Sequence, residues 1–211
     1  NNETGVLQPV GEIAEALADH PAYLHVDAAQ TFGKVPNTLK NPRLDLISIS
    51  AHKLYGPKGV GALIARRRDF DRPPISPLMV GGGQERGLRP GTLPVALVVA
   101  LGSSAQLALR EHEKWQGVCA AQKERALAAL EPLGARIHGD PRYTLPHVLN
   151  LSFPELDSEA VILALKGQAA FSNGSACTSA SYSPSHVLTA MGLDEDEIQG
   201  AVRLSWCHLT P

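Results

Sequence analysis

The sequence predicts an α/β protein built in two parts, on three observations. A helical pattern at residues 9–17 is followed by several short apolar runs that are typical of buried strands. A long helical pattern then covers residues 94–131, and a smaller group of predicted strands and helices follows it. Because helices and buried strands share each part of the chain, both parts belong to the α/β class.

The first part begins with a turn and a helix. Asparagine, glutamate and glycine at residues 2–5 favour a turn, and Pro9 opens a helix whose apolar side chains recur at helical spacing. Three strands are predicted next, at residues 23–27, 44–50 and 60–65. The last two flank a glycine–proline turn, so we expect them to pair as a hairpin.

A loop and a long helix follow these strands. Residues 72–92 are polar and rich in glycine and proline, and a loop of this length is usually functional or mobile. From residue 94 to 131, alanine and leucine alternate with charged residues, which indicates a helix that is interrupted near residues 115–117. Such a helix often links two domains, and we predict a boundary at residues 131–134.

The rest of the chain predicts a smaller α/β unit. Its predicted strands are residues 136–138, 148–153, 169–171 and 201–206, and its predicted helices are residues 158–165, 184–191 and 194–199. A loop of small residues at 172–181 contains Cys177.

Composition excludes several classes of function. The chain has 211 residues, 44% of them hydrophobic, and a net charge of -2, so it is an ordinary globular protein without an electrostatic reason to bind nucleic acid or a membrane surface. No apolar run has membrane-spanning length, and no signal peptide is recognisable. Three cysteines without a CxxC pair favour neither a disulfide framework nor a metal site. A reducing, cytoplasmic location is therefore expected.

Reactive side chains lie where two predicted strands end. An isoleucine-rich run at residues 46–50 leads to Ser50, His52 and Lys53, and Asp27 ends the preceding strand. Ligands of α/β sheets collect outside the carboxyl ends of the strands. A lysine flanked by apolar residues loses its proton more readily and attacks a carbonyl as a free amine. This stretch alone is equally compatible with a surface lysine that closes a strand.

Asp27 and Lys53 together are the pair that pyridoxal phosphate requires. The carboxylate keeps the pyridinium nitrogen protonated, and the lysine amine condenses with the aldehyde. Gln30 would donate to the phenolic oxygen of the ring, and Ser50 and His52 would bind the phosphate. The alternative roles are a turn or cap for Asp27 and a packed imidazole for His52.

Longer motifs carry a resemblance to a known family. The runs HVDAAQ at residues 25–30, SAHK at 50–53 and YGPKG at 55–59 resemble the cofactor region of class V aminotransferase-fold enzymes. Three further segments, residues 81–85, 89–92 and 172–181, narrow the resemblance to the cysteine desulfurases with a long cysteine loop. The resemblance covers essentially the whole chain. It implies the aspartate aminotransferase-like fold of pyridoxal phosphate enzymes, with a mixed, mostly parallel sheet in a large domain and a smaller α/β domain.

The resemblance implies a role for each matched residue around the cofactor. Lys53 would hold pyridoxal phosphate covalently and move the α-proton, with His52 beside it as a second catalytic residue. Asp27 would pair with the ring nitrogen, and Gln30 and Asn2 would lie near the phenolic oxygen. The implied phosphate ligands are Ser50, His52 and, across a homodimer, Thr92.

The resemblance also implies the substrate and the nucleophile. Arg203 would bind the α-carboxylate of L-cysteine in bidentate fashion, with Asn2 nearby. The thiolate of Cys177 would attack the substrate sulfur, which leaves L-alanine and a persulfide on the enzyme. A sulfur-acceptor protein would then take the sulfur for iron–sulfur clusters, thio-modification or DNA phosphorothioation. Cys119 and Cys207 are expected to be structural.

Departures from the family pattern indicate a fragment. The amino-terminal third, with a phosphate loop and a histidine that stacks on the ring, and the last helices have no counterpart here. We therefore interpret residues 1–95 as part of the large cofactor-binding domain, 96–132 as a connecting helix and 133–211 as part of the small domain. Details at Gln84 and in two short segments, residues 182–188 and 206–208, are similar to the desulfurases of DNA phosphorothioation.

Two alternatives to a cysteine desulfurase stay open at this point. One is a selenocysteine lyase or another class V lyase or aminotransferase, which would keep full sulfur release when Cys177 is replaced by alanine. The other is a truncated, non-catalytic homologue that serves as a scaffold. It would lack the absorption band of a lysine-bound cofactor that borohydride shifts.

Overall fold

A computed structural model of the chain describes residues 1–153, 155–173 and 184–211. Its contacts divide it into a first unit, Pro9–Glu113, and a second unit that combines Asn1–Gln8 with Lys114–Pro211. The division into domains at residues 95 and 132 concerns the complete enzyme that the resemblance implies, and it stays a prediction. Cys177 and the loop predicted around it lie mostly outside the described residues.

The first unit contains one helix and a three-stranded sheet. Helix α1 is Val10–Ala16, and the strands are β1 (His25–Asp27), β2 (Leu46–Ser50) and β3 (Gly61–Ala65). β1 pairs with β2 in parallel, and β2 pairs with β3 antiparallel, in the order β1-β2-β3. The predicted helix, the three predicted strands and their hairpin are therefore confirmed.

The two faces of this sheet differ because successive side chains of a strand point to opposite sides. One face packs into a hydrophobic core against α1 and the loops beside it, and its strand residues are Val26, Ile47, Ile49 and Ile64. The other face carries polar side chains from β1 and β2, and these are His25, Asp27, Ser48 and Ser50. The register Asp27↔Ser48 places the two polar rows side by side. The sheet thus has one face in the hydrophobic core and one face that carries the polar side chains of β1 and β2.

A single long helix, α2 (Val95–Leu130), follows the polar loop. The interruption predicted near residues 115–117 is wrong. Gly117 costs about 1 kcal/mol relative to alanine inside a helix, but Lys114, Gln116 and Ala120 around it are strong helix formers. Trp115 also stacks on the ring of His208, with the ring centres 4.3 Å apart, which fixes this turn. None of the helices in the described residues is long and apolar enough to cross a membrane.

The loop between β3 and α2 has little regular structure, as predicted. A 3-10 turn at Gln84–Gly87 interrupts it, and Glu85 and Arg86 there adopt positive φ angles of 48° and 59°. Non-glycine residues with positive φ are uncommon in proteins, and they concentrate in turns and functional loops. The side-chain amide of Gln84 accepts a hydrogen bond from the backbone of Gly91 at 3.0 Å, which ties the turn to the segment that contains Thr92.

The second unit has an antiparallel sheet with three short helices. The strands are β4 (Arg136–Ile137), β5 (Val148–Ser152) and β6 (Ala201–Ser205), in the order β4-β5-β6. The helices are α3 (Ser158–Ala164), α4 (His186–Ala190) and α5 (Glu195–Gln199). Asp157, Ser185 and Asp194 cap their amino ends with side-chain hydrogen bonds.

The strand predicted at residues 169–171 is wrong. These residues have no regular structure, and only Ser172 next to them forms an isolated bridge with Arg203 of β6. Two of the three residues are alanines, which are depleted in strands because they offer little side chain to pack on a pleated surface. Among the described residues, the backbone contact at this edge is a single residue pair, with hydrogen bonds in both directions between Ser172 and Arg203.

The amino-terminal segment Asn1–Gln8 packs on the second unit. Leu7 donates to the carbonyl of Tyr143 at 2.8 Å, and Leu145 donates to the carbonyl of Gly5 at 2.9 Å. Gly5 has a φ of +77°, and a Cβ atom there would lie 2.4 Å from the Val148 side chain. Only glycine fits this close approach. The segment thereby holds the turn at Asn1–Thr4 against β5 and β6.

Candidate active site

The polar face of the first sheet ends in a set of donors and acceptors. Because β1 and β2 are parallel, their carboxyl ends lie at the same edge of the sheet, and Asp27 and Ser50 mark these ends. On the same face, the His25 ring nitrogen Nε2 lies 2.7 Å from the Ser48 hydroxyl oxygen. The sheet thus collects polar groups where the sequence predicted a ligand site.

Lys53 lies on the 3-10 turn Ala51–Leu54, directly after β2. Ala51 and Leu54 are buried and fix this turn in the core, which leaves His52 exposed and Lys53 half-buried. Within the described ranges, the Lys53 amine has no hydrogen bond and no ion pair. An amine that is held by a buried turn and is not engaged by a carboxylate is available for reaction.

Asp27 combines a turn role with a free oxygen atom. Its Oδ1 accepts a hydrogen bond from the backbone of Ala29 at 2.9 Å, so the turn that the sequence offered as an alternative is present. The other carboxylate oxygen has no partner among the residues that the structure describes, and the side chain is exposed. Asp27 therefore retains an acceptor for a ligand.

Ser50 and His52 form a hydrogen-bonded pair. The Ser50 hydroxyl oxygen lies 2.8 Å from the His52 ring nitrogen Nδ1. Gln30, on the turn that follows β1, is half-buried, and Thr92 is exposed in the loop before α2. Five predicted residues are thus brought to the strand ends or the turns after them, and these are Asp27, Gln30, Ser50, His52 and Lys53. The role of Thr92 across a homodimer stays a prediction.

Arg203 and Asn2 meet in the second unit. The guanidinium Nη1 of Arg203 donates to the main-chain carbonyl of Asn2 at 3.0 Å. Arg203 is half-buried, and in the described part of the chain it has no carboxylate within ion-pair distance. The side-chain amide of Asn2 is likewise without a partner there. A partly desolvated guanidinium without a carboxylate favours an anionic ligand. The substrate carboxylate site at Arg203 stays a prediction.

Glu3, next to Asn2, is a residue that the sequence reasoning missed. It is only 1% exposed, and its carboxylate accepts a hydrogen bond from the Ser185 hydroxyl at 2.5 Å. Ser185 also caps α4 by accepting from the backbone of Leu188 at 3.2 Å. The sequence signal that could have identified Glu3 is its position in the turn directly after Asn2. A buried carboxylate in such a turn needs a partner, and the sequence does not show which one.

The two described cysteines differ in burial, and their structural role stays a prediction. Cys119 lies inside α2 and is 3% exposed. Cys207 is half-buried after β6, and its sulfur accepts a hydrogen bond from the backbone of Leu209 at 3.4 Å. The predicted nucleophile, Cys177, lies outside the described residues.

The donor set at the first strand ends fits a pyridine aldehyde phosphate. It contains a lysine amine and a carboxylate oxygen that have no partner within residues 1–153, 155–173 and 184–211, and a hydroxyl–imidazole pair. These are the groups that bind the aldehyde, the ring nitrogen and the phosphate of such a cofactor. Arg203 and Asn2 add a separate anion site in the second unit.

Comparisons with known proteins agree with this chemistry. The sequence profile of the family described as aminotransferase class-V matches residues 1–210. A cysteine desulfurase of Rattus norvegicus is 45% identical over 205 residues, which cover 96% of this chain and 45% of that protein. The chain thus spans about half the length of the relatives that it matches.

Two solved structures are also similar to nearly the whole chain. The crystal structure of DndA from Streptomyces lividans matches with a TM-score of 0.83 and 47% identity, over 98% of this chain and 58% of that one. A structure described as SspA in complex with cysteine matches with a TM-score of 0.76 and 35% identity, over 97% of this chain and 56% of that one.

Proposed function

The chain belongs to the aminotransferase class-V family, and we propose that it is part of a pyridoxal-phosphate-dependent cysteine desulfurase. The enzyme converts L-cysteine to L-alanine and carries the sulfur as a persulfide on Cys177. The observation that carries this proposal is the amine of Lys53, which has no partner among the described residues and is held at the same sheet edge as Asp27 and Ser50. The likeness to a desulfurase at 45% identity and to a structure with bound cysteine supports the choice of substrate.

Different residues of the chain have different roles in this reaction. Pyridoxal phosphate, when bound, supplies an electron sink that weakens the bonds at the α-carbon of the amino acid. Asp27 offers its free oxygen to the protonated ring nitrogen, and the Ser50–His52 pair donates to the phosphate. Lys53 binds the cofactor through its amine and carries the α-proton. Gln30, on the turn after β1, would donate to the phenolic oxygen.

Substrate binding and sulfur transfer involve the second unit. Arg203 neutralises the substrate α-carboxylate, and the Asn2 amide donates to the same group. The Cys177 thiolate attacks the sulfur of the bound cysteine, and the carbon–sulfur bond breaks. The electron pair of that bond stays with the substrate carbon, which takes up a proton and leaves as alanine.

The partners of the enzyme are part of the proposal. A homodimer, in which Thr92 reaches the phosphate bound by the other subunit, and a cytoplasmic location follow from the family resemblance and from the cysteine content. A sulfur-acceptor protein takes the persulfide sulfur. DNA phosphorothioation is the pathway that Gln84 and the residues 206–208 favour, and iron–sulfur cluster supply is the alternative.

Feeding the whole, cofactor-loaded protein with L-cysteine tests the proposal. We expect stoichiometric formation of alanine, and we expect intact-mass and peptide mass spectrometry to find one added sulfur atom on Cys177. Cys177→Ala removes the added sulfur, whereas the control Cys207→Ala retains it. Full sulfur release by Cys177→Ala would contradict the desulfurase mechanism and favour another class V lyase.

Replacing Arg203 by lysine tests the carboxylate site. Lysine keeps the positive charge but loses the bidentate geometry, so we expect kcat/KM for L-cysteine to fall about 10- to 100-fold, the range of one charge-assisted hydrogen bond. Steady-state kinetics of alanine formation measure this change. Arg136→Lys is the matched control, because Arg136 belongs to the same sheet, is 56% exposed and pairs with Glu197. An unchanged kcat/KM in Arg203→Lys would exclude Arg203 from substrate binding.

A further inference from the structure

A row of buried polar side chains runs beneath the turn that carries Asn2. Its members, from the far end to the turn, are Ser152, His138, Asn150 and Glu3, and none of them is more than 4% exposed. We call this set the buried polar row. It lies on the face of the second sheet that also carries Arg203, opposite the apolar core of Leu149, Leu151 and Val202.

The hydrogen bonds of the buried polar row are consistent with one direction of donation. The amide Nδ2 of Asn150 donates to the carbonyl of Glu3 at 3.4 Å, and its Oδ1 lies 2.6 Å from Nδ1 of His138. Nε2 of His138 lies 3.1 Å from the Ser152 hydroxyl. With the amide oriented in this way, Nδ1 of His138 carries the proton, and the Ser152 hydroxyl donates to Nε2. One tautomer therefore satisfies every bond of the row.

The row ends at Glu3, next to the two residues of the predicted carboxylate site, Asn2 and Arg203. Asn150 of β5 is the register partner of Arg203 of β6. Its hydrogen bond to the main-chain carbonyl of Glu3 fixes the peptide group between Glu3 and Thr4, and Arg203 binds the preceding carbonyl, that of Asn2. The Glu3 carboxylate is fixed in turn by Ser185. Asn150 and Arg203, which are neighbours on one face of the sheet, thus bind two successive main-chain carbonyls of the turn.

Packing alone does not explain this arrangement. Burial of an asparagine–histidine pair costs the free energy of hydration of both side chains, and only complete hydrogen bonding offsets this cost. Apolar residues of equal volume would therefore stabilise the sheet at least as well. Such fully satisfied networks fix one geometry of the groups that they contact. Small misplacements of a binding group are costly to substrate orientation.

We propose that His138 and Asn150 are positioning residues for the substrate carboxylate, which act by fixing the turn at Asn2 and the adjacent Arg203. This inference rests on the proposed function, because it takes the amino acid carboxylate as the ligand of Arg203. It assigns to the buried polar row a role in affinity for the amino acid, separate from the chemistry at Lys53.

Asn150→Ala in the whole, cofactor-loaded protein tests the inference. We expect KM for L-cysteine to rise about fivefold to tenfold, the loss expected from one to two hydrogen bonds, with kcat changed less than about twofold. Calorimetric titration with L-alanine, which carries the same carboxylate, gives a readout that does not depend on turnover, and its Kd should rise by the same factor. Leu151→Ala is the matched control, because Leu151 is a fully buried neighbour on the opposite face of β5. We expect it to lower the melting temperature without changing KM or Kd.

A second pair of variants keeps the test decisive if Asn150→Ala does not fold. His138→Ala removes the donor to Asn150 and should raise Kd for L-alanine, whereas His138→Gln retains an amide donor and should restore part of the affinity. An unchanged KM and Kd in the folded variants, or equal rises in Leu151→Ala, would overturn the inference. Because the wild-type protein is tested separately for persulfide on Cys177, a failure of the positioning role is distinguishable from a failure of the desulfurase function.

Discussion

Lys53→Ala in the whole protein is expected to lower the rate of alanine formation from L-cysteine by about 10³-fold or more, within the range that a general acid–base group supplies. The amine of Lys53 is the group at the β1–β2 strand ends that can bind an aldehyde, and it is unengaged in the described part of the chain. Alanine has no group to bind the cofactor or carry the proton. Chromatographic quantification of alanine measures the effect.

The absorption spectrum of the protein distinguishes a specific role of Lys53 from a general loss of folding in the variant. Wild type loaded with pyridoxal phosphate should show an absorption band that borohydride shifts, and peptide mapping should find the reduced cofactor on Lys53. Lys58→Ala is the matched control, since Lys58 is an exposed lysine in the same β2–β3 loop, and its band and rate should stay as in wild type. A reduced cofactor on Lys58 would contradict the assignment of Lys53, and the absence of reduced cofactor from every lysine of the loaded protein would leave only the scaffold.

The part of the site at the ends of β1 and β2 was predictable because its signals are local in sequence. Asp27 ends an apolar run, Ser50 ends another, and Lys53 follows three residues later, so a strand assignment is enough to place all three. The parallel pairing of β1 and β2 then brings the strand ends to one edge. The pattern of apolar residues predicts the strands, and ligands of α/β sheets bind at the carboxyl ends of the strands.

The part of the site around Asn2 and Arg203 was predicted only in part, because its contacts join residues that are distant in sequence. The bonds between Glu3 and Ser185 and between Asn150 and Glu3 join residues 182 and 147 positions apart. Asn150 interrupts an otherwise apolar strand, which signals a buried polar group, but its partners depend on how the amino-terminal segment packs. The incorrect break in α2 has the same origin, because the stacking of Trp115 on His208 is a tertiary contact that a local propensity does not contain.

The opposite end of the first sheet has a buried ionic cluster that serves stability. Asp45, directly before β2, is 3% exposed and accepts hydrogen bonds from Arg68 at 2.7 and 2.9 Å and from Arg43 at 2.7 Å. The backbone of Leu24, before β1, donates to the same carboxylate at 2.7 Å. The Arg68 hydrogen bond is the largest influence on this carboxyl, and it lowers the pKa of Asp45 from 3.8 to about 2 despite burial. Asp45 thus joins the amino ends of β1 and β2.

Asp45→Ala is expected to lower the free energy of unfolding of the chain by about 3 kcal/mol, because it leaves two guanidinium groups without their carboxylate. The value lies at the lower end of the range for buried pairs, since the Arg68 side chain is 35% exposed and keeps some hydration. Urea denaturation followed by circular dichroism measures it. A loss of less than about 0.5 kcal/mol, typical of an exposed pair, would show that the cluster is not a buried one.

The pH dependence of stability gives an independent test of the same carboxylate. Its pKa is lower in the folded than in the unfolded chain, so its contribution is complete above about pH 4 and is lost as the pH falls towards about 2. A shift from 3.8 to about 2 corresponds to about 2 kcal/mol. Asp45→Asn should therefore lose this part of the acid sensitivity, and its stability difference from wild type should shrink between pH 5 and pH 2.5.

Asp140→Asn is the control that separates burial from pairing. The pKa of Asp140 is also lowered to about 2, first by its hydrogen bond to the Arg142 side chain, but the Arg142 side chain is 78% exposed. Water and salt screen this exposed pair, so its replacement should change the free energy of unfolding far less than Asp45→Asn does. Equal effects of the two substitutions would mean that the pairing, and not the burial of Asp45 between the two strands, determines the stability of this edge.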